Sequence, residues 1–121
     1  FEKQSNLKKI INIVHNEVRK RLSIFLIKNS KKEIVVLDIP LLLENNLNYK
    51  KDYLVFVQSK KKDILARLRK RKNFNFKMYK LLKEKQFSTS YKKKKSHFTI
   101  ENDFTKRSIK KQINKILKEI V

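Results

Sequence analysis

The chain has 121 residues and contains no glycine. At an average usage of about 7%, a chain of this length would contain roughly eight. Glycine fills backbone positions with positive φ and lets a phosphate group approach the main chain closely. These residues therefore cannot build a glycine-rich loop that cradles nucleotide phosphates. Because the first residue is Phe1 rather than Met and no signal-peptide pattern follows, we interpret the chain as the C-terminal part of a longer protein that carries the glycines elsewhere.

The charge of the chain is strongly positive. Lys and Arg total 33 against 11 Asp and Glu, which gives a formal net charge of +22. Only six of the basic residues are Arg, the residue that makes bidentate contacts with phosphates and base edges. We therefore interpret the run Lys92–Lys95 as a solvated helix face rather than a binding patch. A field this positive attracts anions such as nucleotides and RNA, and charge alone does not choose between them.

Composition excludes several classes of protein and site. The absence of cysteine excludes a disulfide framework, a thiolate metal site and a cysteine nucleophile. His15 and His97 lie too far apart for a zinc motif, and we predict no metal site within the chain. No apolar run approaches the roughly 20 residues that a membrane-spanning helix needs. Apolar residues make up 40% of the chain, which favours a modest core over a disordered tail.

Apolar spacing alternates between the helical and the strand period along the chain. Residues 33–39 form a β-branched apolar run that Pro40 ends, as is typical of a parallel strand covered on both faces. Ser5 and Thr105 are the predicted N-caps of the first and last helices. The pattern predicts helices over 5–28, 60–72, 75–95 and 106–120 and strands over 33–39, 53–57 and 97–101.

Helices interleaved with buried strands predict an α/β fold, an open parallel sheet with helices on both faces. Three strands are too few for an independent sheet of this type. We therefore expect the other strands in an N-terminal part that is missing from this chain.

Ligands of open α/β sheets bind outside the carboxyl ends of the strands, and Asp38 lies at that end of the first predicted strand. Glu44 follows after three leucines. The alternative is that Asp38 caps a strand-to-helix turn and that Glu44 is an ordinary surface acid. Half of the arginines of the chain cluster at Arg67, Arg69 and Arg71. Such a cluster favours bidentate recognition of phosphate by the guanidinium groups. The alternative there is a solvated helix C-terminus favoured by the dipole.

Residues 38–44, Asp-Ile-Pro-Leu-Leu-Leu-Glu, resemble the D-x-P-L-L-F/V-E segment of dephospho-coenzyme A kinases. That family belongs to the P-loop nucleoside monophosphate kinase-like proteins. Upstream, residues 15–19 resemble the family's H-P-x-V-R, with Asn16 in place of the proline. Downstream, residues 67–71 are similar to its R-L-x-x-R.

The resemblance continues to the end of the chain in the same order. Gln86 falls where the family's lid helix ends in glutamine, and residues 96–102 stand in place of A-D-Y-V-I-D-N. Gln112 and the apolar residues after it match the last helix without a gap. The resemblance therefore covers nearly the whole chain.

Several positions depart from the family's pattern. Leu82 replaces a lid arginine, so that basic contact is lost or passes to Lys83, and Ser88 replaces a proline. Two glycines of the family are replaced by Asn46 and Phe104. Asn is the residue other than glycine that best tolerates the left-handed region, whereas Phe104 puts the geometry of its turn in question.

The resemblance implies a single kinase domain, with residues 1–72 and 96–121 in the core and residues 73–95 in a helical lid. The complete enzyme, of which this is roughly the last 60%, would transfer the γ-phosphoryl group of ATP to the 3′-hydroxyl of dephospho-coenzyme A. This is the last step of coenzyme A biosynthesis. Mg²⁺ would be held largely by the missing part, and the chain by itself would be inactive. We expect a cytoplasmic monomer with no membrane and no specific nucleic-acid partner.

The resemblance also implies roles for individual residues. Arg71 would be catalytic, closing over the phosphates of ATP from the lid together with Arg67. Gln86 would lie at the far hinge of the lid, and Asn102 near the adenine end. The acceptor pocket would be formed or supported by His15, Arg19, Asp38, Pro40, Leu42 and Glu44.

Two other classes remain open from the sequence. A small basic RNA-binding or ribosome-associated protein would account for the charge and would expose aromatic residues for stacking on bases. Phe74, Phe76 and Tyr79 are candidates for that role, although packing within a lid or core is the commoner use of such residues. An adaptor with the sheet and no catalysis is the third class.

Overall fold

The computed structural model describes the backbone of residues 2–121 and the side chains of Lys9 and residues 12–121. Within them, five helices accompany two strands. The described chain forms two compact units, residues 1–40 and residues 41–121. Their elements are α1 (Glu2–Lys28), β1 (Val55–Gln58), α2 (Lys61–Arg69), α3 (Phe76–Glu84), α4 (Thr89–Lys95), β2 (Phe98–Glu101) and α5 (Lys106–Ile120).

The first unit consists of α1 and the segment after it. The predicted N-cap at Ser5 is wrong, because the helix already includes Glu2. The predicted apolar stripe is only partly covered: Leu22 is buried, whereas Val14 and Phe25 are exposed. The stripe's first positions, Leu7, Ile10 and Ile11, lie outside the described side chains. A face of this kind needs a packing partner before it contributes to stability.

Residues 33–39 do not form the predicted strand and carry no regular secondary structure. The prediction rested on a β-branched apolar run, which satisfies the side-chain preference of a strand. A strand also needs a neighbour that accepts and donates ladder hydrogen bonds. Within the described residues, the sheet contains only β1 and β2, so this segment lacks such a neighbour.

The second unit is built on a parallel pair of strands, β1 and β2, in which Val55 pairs with Phe98 and Gln58 with Glu101. Both strands lie within a residue or two of their predicted positions. Ile100 is buried on β2, against which α5 packs. The chain between the strands carries α2, α3 and α4, which replace the predicted helices over 60–72 and 75–95.

Two reciprocal hydrogen bonds join α5 to β2. The Gln112 side chain donates to the Glu101 carbonyl at 2.9 Å and accepts from the Glu101 N–H, also at 2.9 Å. Thr105 occupies the N-cap position as predicted, but its hydroxyl makes no cap bond. It donates to the Asp103 carboxylate instead, at 2.8 Å.

His97 extends the pairing at the amino ends of the strands. Its backbone N–H donates to the Leu54 carbonyl at 2.8 Å, and its Nδ1 accepts from the Leu54 N–H at 2.9 Å. The Tyr53 ring contacts the imidazole edge-on, with 5.6 Å between centroids. A carboxylate at this position can accept the same hydrogen bond, which explains how His97 stands where the family has Asp.

Substitution of His97 tests this contact. We expect His97→Asp to keep the stability of the complete protein within a few tenths of a kcal/mol, because the Leu54 N–H retains an acceptor. His97→Leu removes the acceptor and should cost about 0.5–1 kcal/mol. Urea unfolding of both variants measures the difference. Equal loss in the two would show that the Nδ1 contact contributes nothing.

Three of the described residues adopt positive φ, although the chain has no glycine: Leu41 at 54°, Asn46 at 50° and Phe104 at 63°. Asn46 and Phe104 are the two positions where the resemblance predicts glycine. Both positions therefore adopt the left-handed conformation although neither is glycine. For a residue other than Gly, Asn or Asp, this conformation costs roughly 1–2 kcal/mol of stability.

Asn46 allows this cost to be measured. Asn46→Gly should leave the free energy of unfolding nearly unchanged, since both residues tolerate the left-handed region. Asn46→Ala should lower it by about 1 kcal/mol, because Ala tolerates the left-handed region less well than Asn does. Chemical denaturation of the complete protein measures both values. A neutral Asn46→Ala would contradict the assigned geometry.

Candidate active site

The carboxyl ends of β1 and β2 meet at one edge of the sheet, the position at which open α/β sheets bind ligands. The Asn102 N–H donates to the Gln58 carbonyl at 2.7 Å, which continues the ladder beyond the strands. The Gln58 side chain donates to the Glu101 carboxylate across the same edge. The edge is therefore ordered and polar.

Asn102 organises the turn that leaves this edge. Its Oδ1 accepts from the Phe104 N–H at 2.9 Å. Asp103 accepts from the Thr105 N–H at 2.9 Å as well as from its hydroxyl. These two bonds from Thr105, the backbone bond first, hold the pKa of the Asp103 carboxyl below its usual value. Asn102 thus supports a turn at the sheet edge through its side chain.

The two lid arginines of the prediction have different surroundings. The Arg67 guanidinium lies over the Phe104 ring, with Cζ 3.7 Å from the centroid, well inside the range of a cation–π contact. Arg71 follows the end of α2 and is exposed, and it forms no ion pair with any of the described side chains. The contact connects α2 to the turn at Asn102 and leaves the guanidinium of Arg71 accessible to an anionic ligand.

Glu44 makes the contact that joins the turn after Pro40 to the predicted lid. Its Oε1 accepts from Lys92 Nζ at 2.7 Å and from the Phe87 N–H at 3.0 Å. Burial by itself raises the pKa of the Glu44 carboxyl. The hydrogen bond from Lys92 and those from the backbone N–H groups of Glu44 and Phe87 outweigh this and lower the pKa below its usual value. The carboxylate is therefore ionised at neutral pH.

The remaining predicted residues lie as follows. His15 and Arg19 are one turn apart on α1, so they share a face of that helix. Asp38 and Pro40 are exposed at the end of the first unit. In the second unit Leu42 is half-buried beside Glu44, and Gln86 is exposed in the turn between α3 and α4, directly before Phe87.

Two residues that the sequence did not single out for the site contact residues predicted to belong to it. Lys92 was predicted as part of a solvated face, yet it pairs with Glu44, and only Lys93–Lys95 are exposed. No sequence signal separates Lys92 from its three neighbours. The ring of Phe104 is the second, and its signal was its position at a glycine of the family. Neither contact depends on a local periodicity.

The predicted lid is two helices with a break rather than one. Asn75 and Ser88 cap them by accepting from the backbone N–H groups three residues later. Lysines lie over aromatic rings one turn away on both helices, as with Lys80 over Phe76 and Lys95 over Tyr91. Lys83, the predicted substitute for the missing lid arginine, lies over Tyr79 in the same way.

Among the described residues, no group of three or more His, Cys, Asp or Glu side chains is placed to hold a metal ion. No helix of residues 2–121 is long and apolar enough to cross a membrane.

A family model described as dephospho-CoA kinase matches residues 1–116. The chain belongs to this family. It is 32% identical to the dephospho-CoA kinase of Ehrlichia canis (strain Jake) over 88% of the chain, and to that of Wolbachia pipientis wMel over 93%. It is 34% identical to that of Bacillus cereus (strain ATCC 10987 / NRS 248) over 97%.

The chain spans 54–58% of the length of these dephospho-CoA kinases. No solved structure matches it. The resemblance drawn from residues 38–44 is confirmed. The parallel strand pair with its helices agrees with part of a P-loop kinase-like fold, so the predicted fold class is confirmed as well.

Proposed function

We propose that the complete protein containing this chain transfers the γ-phosphoryl group of ATP to the 3′-hydroxyl of dephospho-coenzyme A, the last step of coenzyme A biosynthesis. The family match across residues 1–116 carries this proposal. The ordered polar edge at Gln58, Glu101 and Asn102 supports it, because this is where the fold binds its ligands.

Phosphoryl transfer depends mainly on positioning and on neutralising the charge of the moving group. Arg71 supplies such a charge on the ATP side, since its guanidinium is exposed and unpaired within the described chain. Arg67 acts on the same side and is oriented by the Phe104 ring. Asn102 forms the turn toward the adenine end, and Gln86 lies at the hinge of the lid, residues 73–95.

For dephospho-coenzyme A we propose the residues predicted from the resemblance. Asp38, with Pro40 and Leu42, shapes the acceptor pocket, and His15 and Arg19 support or contact it. Glu44 is also among the residues predicted for the acceptor pocket, and it acts through its contacts with Lys92 and the Phe87 N–H. Mg²⁺ supplies further charge neutralisation in kinases. The described residues contain no cluster suited to it, and we propose that other parts of the complete protein hold the ion.

The direct experiment incubates the purified complete protein with ATP, Mg²⁺ and dephospho-coenzyme A and measures coenzyme A by mass spectrometry. Coenzyme A should form only when all components are present. Parallel reactions with AMP or pantetheine as acceptor should give no product. Phosphorylation of AMP in place of dephospho-coenzyme A would assign a different kinase activity. We expect the protein to act as a cytoplasmic monomer, which fractionation and sedimentation test.

Measuring RNA affinity at increasing salt concentrations distinguishes an RNA-binding protein from the proposed kinase. Any affinity for RNA should come from contacts between Lys and phosphate and should fall steeply as the salt concentration rises. Fluorescence anisotropy with two RNAs of equal length and different sequence measures it. A sequence-specific complex that survives physiological salt would support RNA binding instead.

Asp38→Asn should weaken the binding of dephospho-coenzyme A more than the binding of ATP. The substitution keeps the size of the side chain and removes its charge from the exposed segment just before Pro40. We expect the KM for dephospho-coenzyme A to rise about 10- to 150-fold, since a lost charge-assisted hydrogen bond contributes roughly 1.5–3 kcal/mol. The KM for ATP should stay nearly constant. Steady-state kinetics with each substrate varied in turn measures both, and an equal rise in the two would remove Asp38 from the acceptor site.

A further inference from the structure

The carboxylate of Glu44 is the point at which two parts of the second unit are held together. One oxygen, Oε1, accepts both from Lys92 Nζ at 2.7 Å and from the backbone N–H of Phe87 at 3.0 Å. Glu44 belongs to the turn over residues 41–46, whereas both donors belong to the predicted lid. A single acid therefore joins segments that lie more than forty residues apart in the sequence.

The pair is shielded from water. The Lys92 and Glu44 side chains are 20% and 11% exposed. The other described ion pair, Arg21 with Glu17 on α1, is 79% and 51% exposed. Exposed pairs contribute little because water screens them and their side chains lose entropy. In a shielded pair, removal of one partner leaves the other charge uncompensated, so the position of each depends on the other.

Polar contacts matter here because the lid helices have little apolar anchoring. Neither α3 nor α4 has a buried residue. The Glu44 carboxylate accepts a hydrogen bond from the Phe87 N–H, which lies in the break between these helices. It also pairs with the Lys92 ammonium group on α4. The two bonds thus fix both the hinge beside Gln86 and the first turns of α4.

The turn that presents Glu44 is itself well ordered. The Leu47 side chain is buried, and its backbone N–H donates to the Leu42 carbonyl at 3.0 Å. Asn46 closes the turn with its positive φ. The Glu44 carboxylate is therefore presented from a turn that is held by its own backbone hydrogen bond and by the burial of Leu47.

We infer that Glu44, Lys92 and the Phe87 N–H form a latch that sets the position of the lid over the nucleotide, with Glu44 as a positioning residue rather than a group that touches the acceptor. The inference rests on the proposed kinase function, because it takes residues 73–95 as the lid over ATP. The latch connects the turn predicted to serve the acceptor with the segment predicted to serve ATP.

The test uses the complete protein and three single variants. Glu44→Gln keeps an oxygen for the Phe87 N–H and loses the charge, and Lys92→Met keeps the apolar stem and loses the charge. Lys93→Met is the matched control, since it removes the same charge from the next, exposed position of the lysine run. We expect the KM for ATP to rise about tenfold in the first two and to stay constant in the control.

A reversed pair provides the rescue. The double variant Glu44→Lys with Lys92→Glu restores opposite charges and should recover most of the ATP affinity, whereas Glu44→Lys alone should not. Glu44→Gln combined with Lys92→Met should be no worse than either single change, because the two residues act through one contact. Independent, additive losses would overturn the latch.

Hydrogen exchange of the amides of residues 86–95 reports on the latch separately from catalysis. Exchange should accelerate in Glu44→Gln and Lys92→Met and not in Lys93→Met. If the wild type makes no coenzyme A but exchange changes as expected, the proposed function fails, whereas the ordering of residues 86–95 by Glu44 and Lys92 stands. If the wild type is active and neither exchange nor the KM for ATP changes, the latch is wrong. A rise confined to the KM for dephospho-coenzyme A would return Glu44 to the acceptor site.

Discussion

The 121-residue chain by itself is expected to show no ATP-dependent phosphorylation of dephospho-coenzyme A. It has no glycine, and the nest of backbone N–H groups that holds the β- and γ-phosphates in P-loop kinases depends on glycine. Basic side chains attract ATP but cannot replace that nest, because transfer needs the phosphates fixed in line with the acceptor. The measurement is coenzyme A formation by residues 1–121, assayed with sensitivity sufficient for single turnovers.

The complete protein is the control for this prediction, under identical conditions and at the same concentration. It should be active where the 121 residues are not. Turnover by residues 1–121 at a rate comparable to the complete protein would contradict the prediction and would require a phosphate site made only of side chains and glycine-free backbone.

Arg71→Ala is expected to lower the turnover number of the complete protein by about 10²–10³-fold, the range typical of deleting one preorganised charge-stabilising donor. The side chain is exposed beyond the end of α2, so its removal leaves the sheet intact. An interaction made mainly in the transition state lowers kcat more than it changes KM. Rapid-quench kinetics of the phosphoryl transfer step measures the loss.

Lys72→Ala is the matched control, because it removes the same charge from the adjacent position. It should change kcat by less than threefold if the effect of Arg71 depends on its guanidinium rather than on the general positive field. Wild-type kinetics for Arg71→Ala would show that the arginine cluster is a solvated helix end, and the assignment of Arg71 would then be wrong.

Local patterns predicted the second unit well. The apolar run at Tyr53–Val57 and the alternation at His97–Glu101 lie within one or two residues of β1 and β2. The last helix begins after Thr105 as predicted. These elements were predictable because their signals, period and capping residue, lie within a few residues of one another.

The failures have a different physical origin. Residues 33–39 have the composition of a buried strand but no ladder partner within the described chain, and composition does not supply one. The break in the lid comes from Ser88, which caps α4 by accepting from Tyr91. The N-cap was missed because residues 75–95 are strongly basic throughout and were predicted as one continuous helix.

The contacts made by the residues proposed for the site could not be predicted from the sequence. The motif at residues 38–44 drew attention to Glu44, yet its partner Lys92 is one of four consecutive lysines. Arg67 was predicted from a cluster of arginines, whereas its contact with Phe104 depends on a turn 37 residues away. The roles assigned to individual residues remain predictions for the experiments above.

The direct pairing of β1 with β2 has an evolutionary consequence. The chain leaves the sheet after Gln58 and returns at Phe98 beside the strand it left. Among the described residues, the hydrogen bonds of the sheet involve only β1 and β2. The segment between them, residues 59–97, can therefore change in length or sequence without changing how the two strands pair. The helices that this segment carries can vary in the same way while β1 and β2 keep their register.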